Sequence, residues 1–423
     1  MNKLLPIISL VLLLSACHTT PVSQQPQELI YGADVSDAFD TTLFFRIDTA
    51  FQRYINMKVL PHAVVMVVHD SRVAYLKSFG YSDVNGGCEC RVDNVFREAS
   101  QAKAISVITL MTLWEEGLFQ LDEPIKKYLP EFAHPVVLDS YKIRDGKVIP
   151  QTHPAQNDIT IRHLLTHTSG ICYDGVFAQL IKQLGGVAHN SLDSISLQDN
   201  VRIMAQLPLK HEPGEAFTYS YGLDALAAMA ELLTGDSFES LVQQRVLNPL
   251  GMQHTYFHLP ELEKDNLVKL YSYTKQRGLC LSDNELLQTY PYAGAQILCS
   301  PSGGLVGTIE DYARFCQMIL NGGTFNNQRI IGRKTLEMMQ KNGVGQMRGE
   351  IGFGMAWDVF TPENAHNTII SEGSMRWGGM YGTDYVIDPQ EKLILLMYSN
   401  CLPNKSGYNP KTLLHNVVYP ILK

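Results

Sequence analysis

No Gly-x-Ser-x-Gly pentapeptide occurs anywhere in the 423 residues, which excludes the sharp strand-to-helix elbow that carries the nucleophile of α/β-hydrolases. A basic run is missing too. Lys and Arg number 34 against 42 Asp and Glu, a formal net charge of -8. Such a surface repels a phosphate backbone, so nucleic acid is set aside as a partner. No apolar run reaches the about 20 residues that span a bilayer; the run from Leu4 to Leu14 stops short. After residue 40 there is no internal repeat and no low-complexity tract, which excludes solenoids and arrays. Cysteine is sparse, at eight residues, and Cys88-Glu89-Cys90 has no second pair at a spacing that would hold zinc. His163 and His167 stand four apart, but no Glu follows His163, so the zinc-protease pattern is incomplete. No metal and no cofactor are expected.

What is present is an ordinary globular composition, 45% hydrophobic and 18% charged, enough for a sizeable core. The first residues stand apart. Lys3, the apolar run and then Leu14-Ser15-Ala16-Cys17 read as an export signal. That ending resembles the lipobox of bacterial lipoproteins. The resemblance implies a signal peptide over residues 1–16, a lipidated Cys17 and a membrane held through acyl chains. Residues 17–40 are then expected as a polar tether, rich in Pro, Gln, Ser and Thr. The expected location is the bacterial cell envelope. Without Cys17, seven cysteines remain, an odd number with irregular spacing, and buried thiols with room for one bridge are expected.

Residues 41–57 carry Leu43, Phe44, Ile47, Phe51 and Ile55 at helical spacing. His62 to His69 reads as a strand, with a hairpin partner after Asp70-Ser71. A helix opens at Ser100, runs to about Gly117 and is apolar over most of its girth, so it belongs in the middle of the fold. Helices then dominate. Leu223 to Leu233 stops at Gly235, Asp236-Ser237-Phe238-Glu239 starts the next, and Thr308 starts one through Leu320. Strands return at Phe353–Phe360, Tyr381–Asp388 and Leu393–Tyr398, and a last helix spans Pro410–Leu422. Strands from both ends can share one antiparallel sheet, with the central helices as a second lobe and a cleft between them.

Ser100 and Lys103 lie at i and i+3, on one helical face. A serine hydroxyl is a poor nucleophile near neutrality and needs a base, which a desolvated lysine supplies. In the first helical turn, free amides favour developing negative charge. The two-letter pattern alone is weak, because Ser272-Tyr273-Thr274-Lys275 repeats it without a long helix behind. Tyr219, in a loop just before a helix, projects a phenol that nearby cations would acidify for proton transfer. In Met375-Arg376-Trp377-Gly378-Gly379-Met380, the glycines permit close backbone approach. The amide of Met380 can there pair with that of Ser100 around an oxyanion.

Ser100-x-x-Lys103, the Tyr219 segment and Trp377-Gly378-Gly379 stand in the order of the class C β-lactamase and penicillin-binding protein superfamily, which the chain resembles. The run Ile161 to Gly170, with its His-Leu-Leu-Thr-His-Thr-Ser-Gly, is the most specific stretch. Gly117 to Pro124, Asn248 to Met252 and Ser302 to Leu305 are similar as well. The resemblance covers most of residues 41–423. It implies an α+β fold of the β-lactamase/transpeptidase type, an antiparallel sheet flanked by helices, with a mostly helical lobe over roughly 118–300. It also implies acylation of Ser100 followed by hydrolysis, Lys103 and Tyr219 sharing the proton work. Two motifs depart from the common form: Tyr219-Ser220-Tyr221 in place of Tyr-x-Asn, and Trp377-Gly378-Gly379 in place of Lys-Thr-Gly or His-x-Gly. Both look like the esterase branch. Tyr221, Trp377, Gly378 and Gly379 are expected to bind the substrate. Adjacent strand residues alternate faces, so Arg376 is expected to point away if Trp377 faces the cleft. The leading expectation is a carboxylesterase for small or medium uncharged acyl esters. The alternatives are a β-lactamase, D,D-peptidase or D-aminopeptidase acting on a β-lactam or cell-wall amide, and a non-catalytic binding lipoprotein.

Overall fold

In the computed structural model, which describes residues 28–187 and 195–423, both ends of the chain build one sheet. The first half gives β1 (His62–His69), β2 (Arg72–Asp83) and β3 (Cys88–Glu89). The second gives β4 (Gly352–Phe353), β5 (Asp358–Val359), β6 (Met375–Gly378), β7 (Asp384–Asp388) and β8 (Leu393–Tyr398). The order across the sheet is β4-β5-β6-β7-β8-β1-β2-β3, antiparallel at every step. The seam is β1 on β8, with Val64 opposite Tyr398 and Met66 opposite Leu396. Both strands are near-continuous apolar runs because both faces of the sheet are covered. Val64, Met66 and Val68 point into the front core; Ala63, Val65 and Val67 point into the back one.

The back is closed by α1 (Phe45–Asn56), through Ile47 and Phe51, and by the C-terminal α5 (Pro410–Val418), through Leu414 and Val418. The front carries α2 (Ala102–Glu115), α3 (Gly222–Thr234) and α4 (Ile309–Leu320). Every residue of α2 from Ala102 to Leu113 is buried, which explains why it lacks a polar face. The α+β architecture, with a sheet from both chain ends and a helical lobe between, follows the sequence expectation.

Four differences are informative. The Phe353–Phe360 stretch is two short strands around a turn, which Gly354 N–H closes by donating to the Trp357 carbonyl at 3.0 Å. The lobe over 118–300 is less helical than expected: Val136–Arg144 and Lys147–Pro154 pair as a long hairpin. Its turn, Asp145-Gly146, has both residues at positive φ, the geometry an Asp-Gly pair favours. The tether expected up to residue 40 is docked from residue 28 onward. Ile30 exchanges backbone hydrogen bonds with Ser71 and Val73 at 2.8 Å, and Val35 and Phe39 sink into the back core. Apolar residues inside a polar segment were the overlooked signal. The seven described cysteines are all free thiols, five of them buried.

The segment before α1 meets the C-terminus on the back face. Asp40 N–H donates to the Ile421 carbonyl at 2.9 Å, Lys423 N–H to that of Ala38 at 2.9 Å, and Lys423 Nζ to that of Ser36 at 2.6 Å.

Candidate active site

Ser100 lies in a tight 3-10 turn, Ala99–Gln101, that runs directly into α2. Ala99, just before it, has φ +49°, a conformation that costs about 1–3 kcal/mol and must be held by its surroundings. It is held on two sides. Phe96 and Arg97 pair with Gly307 and Val306, and Glu98 N–H donates to the Leu305 carbonyl at 3.0 Å. From the sheet, Thr383 Oγ1 donates to the Glu98 carbonyl at 3.3 Å. The Ser302-to-Leu305 run therefore braces the turn that presents Ser100.

Lys103, one helical turn on, is buried. Its Nζ donates to the Ser302 carbonyl at 2.6 Å and stands 4.6 Å from the centre of the Tyr219 ring. Burial pushes its pKa well below the ordinary lysine value, and the nearby Asp224 carboxylate partly opposes that shift. Asp224 is itself buried in the first turn of α3 and accepts a hydrogen bond from the Ser302 hydroxyl. Burial raises its pKa, against the pull of Ser302 and Lys103. Asp224 was not singled out in the sequence, and Ser302 only as part of the Ser302 to Leu305 run. The available signal was a lone carboxylate in the otherwise apolar Leu223-Asp224-Ala225-Leu226.

Tyr219 is carried to Ser100 by a loop stitched onto the Thr166–Gly170 segment. Gly214 N–H donates to the Thr168 carbonyl and Thr218 N–H to that of His167, both at 2.8 Å, while Lys210 N–H reaches the Gly170 carbonyl at 2.7 Å. Gly170 has φ +82°, and a side chain there would meet the His211 carbonyl. The specific His-Leu-Leu-Thr-His-Thr-Ser-Gly run thus works as the cradle of the tyrosine loop. Neither histidine stands in a metal cluster: among the described residues no group of three or more His, Cys, Asp or Glu is placed to hold an ion. His163 caps its helix with Thr160, and His167 packs at 4.6 Å on the Tyr219 ring. The phenol of Tyr219 is not acidified, contrary to expectation. Burial raises its pKa above the usual tyrosine value, and hydrogen bonding toward Ser100 and Trp377 offsets only part of this. Tyr221 is 5% exposed, its ring stacked at 4.4 Å on Tyr173, so it supports the site from within the core.

β6 lies along the Ser100 turn. Trp377 packs at 5.3 Å from the Tyr219 ring and 5.5 Å from Phe353. Arg376 faces the other way, bonded to Asp384 at 3.3 Å beside Lys411 and His415, as strand alternation requires. The room beside the glycines is filled by the protein. A side chain on Gly378 would meet the Thr383 carbonyl, and one on Gly379 the carbonyl of Glu98. These glycines let β6 approach β7 and the nucleophile turn. Met380 follows at the strand end, 41% exposed. One cation escaped the sequence reading: Arg348, paired with Asp358, lies 4.8 Å from the Phe217 ring centre and 5.9 Å from that of Trp377.

A serine on a braced helical turn, with a desolvated lysine and a buried phenol beside it between a sheet and a helical lobe, defines a β-lactamase-fold serine hydrolase. The chain belongs to the β-lactamase family, whose model matches residues 47–418. It is 28% identical over 376 residues to esterase EstB of Burkholderia gladioli, covering 85% of this chain and 91% of EstB. In structure it resembles EstCE1, a hydrolase with promiscuous acyltransferase activity, with a TM-score of 0.76, 26% identity and coverage of 90% of this chain and 99% of that one. The simvastatin synthase of Aspergillus terreus shares the fold, with a TM-score of 0.73, 22% identity and coverage of 90% and 98%. Its relatives include esterases and acyltransferases, and the chain is a serine hydrolase of the β-lactamase fold.

Proposed function

We propose that this protein is a carboxylesterase for uncharged esters with small or medium acyl groups, acting through an acyl-Ser100 intermediate. The observation that carries the substrate class is the third motif. Trp377 packs on the ring of Tyr219, whose phenol reaches toward Ser100, and the neighbouring cation, Arg376, is turned away and spent on Asp384. Lys103, its pKa lowered to about 7 by burial, takes the hydroxyl proton in its free-amine form as Ser100 Oγ attacks the ester carbonyl. The amides of Ser100 and Met380 hold the oxyanion. Tyr219 protonates the departing alkoxide and is reprotonated from Lys103; water then attacks the acyl-enzyme through the same groups in reverse. EstB supports the ester reading.

The test compares a short-chain p-nitrophenyl ester with a chromogenic cephalosporin. Ester turnover that disappears in Ser100→Ala, with little cephalosporin turnover, is expected. Fast cephalosporin turnover would overturn the substrate class. One observation favours that second reading: Arg348, although paired with Asp358, is a cation at the rim of the same aromatic cluster.

We further infer from the sequence that Cys17, outside the described residues, is lipidated and ties the enzyme to the bacterial cell envelope. Among the described residues no helix is long and apolar enough to cross a membrane. Metabolic labelling with an alkyne fatty acid should mark the protein, and Cys17→Ser should lose both label and membrane fraction. Label retained in Cys17→Ser would refute the anchor.

A further inference from the structure

The indole Nε1 of Trp377 and the phenol oxygen of Tyr219 are both buried without a completed hydrogen bond. Their rings stand 5.3 Å apart, tilted at 45°. A buried polar atom left unpaired is destabilising, and each one in a native protein calls for an explanation. At reaction centres, however, such bonds are long in the resting enzyme and close when substrate binds. The electrostatics already points that way: Trp377 and Ser100 are the two hydrogen-bonding neighbours that stabilise ionised Tyr219 against burial.

Direction follows from chemistry. An indole N–H can only donate. Between these two groups, therefore, the phenol oxygen must accept, and its own hydrogen is turned away from Trp377. Lys103 does not compete for this role, since it lies over the face of the Tyr219 ring and donates to Ser302. The remaining neighbour is Ser100, where the leaving group forms.

We propose that Trp377 is a positioning residue for Tyr219, its indole N–H aiming the phenol proton at the leaving-group oxygen and stabilising the phenolate that forms as the proton departs. The idea rests on the acyl-Ser100 chemistry above. In acylation the Ser100 Oγ–carbonyl bond forms and the ester C–O bond breaks. The hydroxyl proton of Ser100 goes to Lys103, the phenol proton of Tyr219 goes to the alkoxide, and Lys103 then returns a proton to the phenolate. A hydrogen bond to a developing charge is stronger than one to a neutral oxygen, so Trp377 acts mainly in the transition state.

Trp377→Phe keeps an aromatic ring and removes the N–H. On an ethyl ester, whose alkoxide needs a proton, kcat/KM, which reports acylation, should fall about ten- to hundredfold. On the p-nitrophenyl ester of the same acid, whose leaving group needs none, the loss in kcat/KM should be small, while deacylation, common to both esters, slows equally. In a Tyr219→Phe background, Trp377→Phe should cost nothing further. Equal losses in kcat/KM on both esters, or losses that add to those of Tyr219→Phe, would show that Trp377 acts by packing and overturn the proposal.

A second readout is independent of turnover. The chain has three Trp, so its indole 1H–15N signals are few. The Trp377 signal should move in Tyr219→Phe; one that stays in place overturns the proposal even if ester turnover is confirmed. If the wild-type protein hydrolyses a cephalosporin and neither ester, the esterase reading falls. The double-mutant comparison on the cephalosporin, whose departing nitrogen also takes a proton, then decides the role of Trp377.

Discussion

At the scale of single residues, burial sets the chemistry of the site. On the proposed mechanism Lys103 acts as the free amine, so kcat/KM should be retained above its folded pKa and lost as pH falls through it. The acid limb of the pH profile is expected well below the ordinary lysine value of 10.5. Asp224 holds that pKa up; Asp224→Asn should therefore shift the limb to still lower pH. A limb that moves upward would contradict this reading of the pair. Glu98 behaves differently. Fully buried beneath the nucleophile turn, it accepts a hydrogen bond from Tyr398 at 3.2 Å, and burial pushes its pKa up to about 8 from 4.5. Between those values the folded chain keeps a proton that the unfolded chain releases, so this carboxyl erodes stability as pH rises. Glu98→Gln should raise Tm at pH 8 and leave it nearly unchanged at pH 4. The residues that meet at the candidate site were legible in the sequence, as Ser100, Lys103, Tyr219 and Trp377 in order. Asp224 and Arg348 were not, and Ser302 only as part of a matching run, because their meaning arises only when remote segments touch.

At the scale of elements, the site depends on how closely segments approach. Gly170→Ala adds a side chain at positive φ against the His211 carbonyl, and should cost about 1–3 kcal/mol in a denaturant melt. It should also lower kcat by displacing the loop that carries Tyr219. Gly379→Ala would press β6 away from Glu98 and should reduce activity more than stability. Retention of full kcat in either variant would refute the bracing role. Periodicity found α2, α3 and α4, because each has a buried stripe or is buried throughout. It also found β1 and β8, which are apolar on both faces. It missed the Val136–Pro154 hairpin, whose outer residues alternate with little apolar contrast, Tyr141 and Ile143 being largely exposed. The Asp145-Gly146 turn was the one local sign of it.

At the scale of the whole molecule, the sheet is closed late. β1 and β8 come from opposite ends of the chain, so the central seam forms only when the C-terminal strands arrive. The segment before α1 belongs to this closure. Phe39 is fully buried in the back core and touches the Phe44 and His69 rings, at 5.6 Å each. Phe39→Ala should destabilise the protein by about 3–5 kcal/mol, measured by urea unfolding, with KM unchanged. A loss below about 1 kcal/mol would mean the segment is only loosely laid on. The contact between the segment before α1 and the C-terminus has one more consequence. Residues 36–40 and 421–423 are already hydrogen-bonded to each other, far along the chain from the exposed Asp145-Gly146 turn. In a protein started near Ser36, a short linker from Lys423 to that start, with a cut at that turn, gives a circular permutant in which the sheet's central strands follow one another in sequence. Such a permutant shortens the chain separation across the β1–β8 seam, and it should refold faster than the parent.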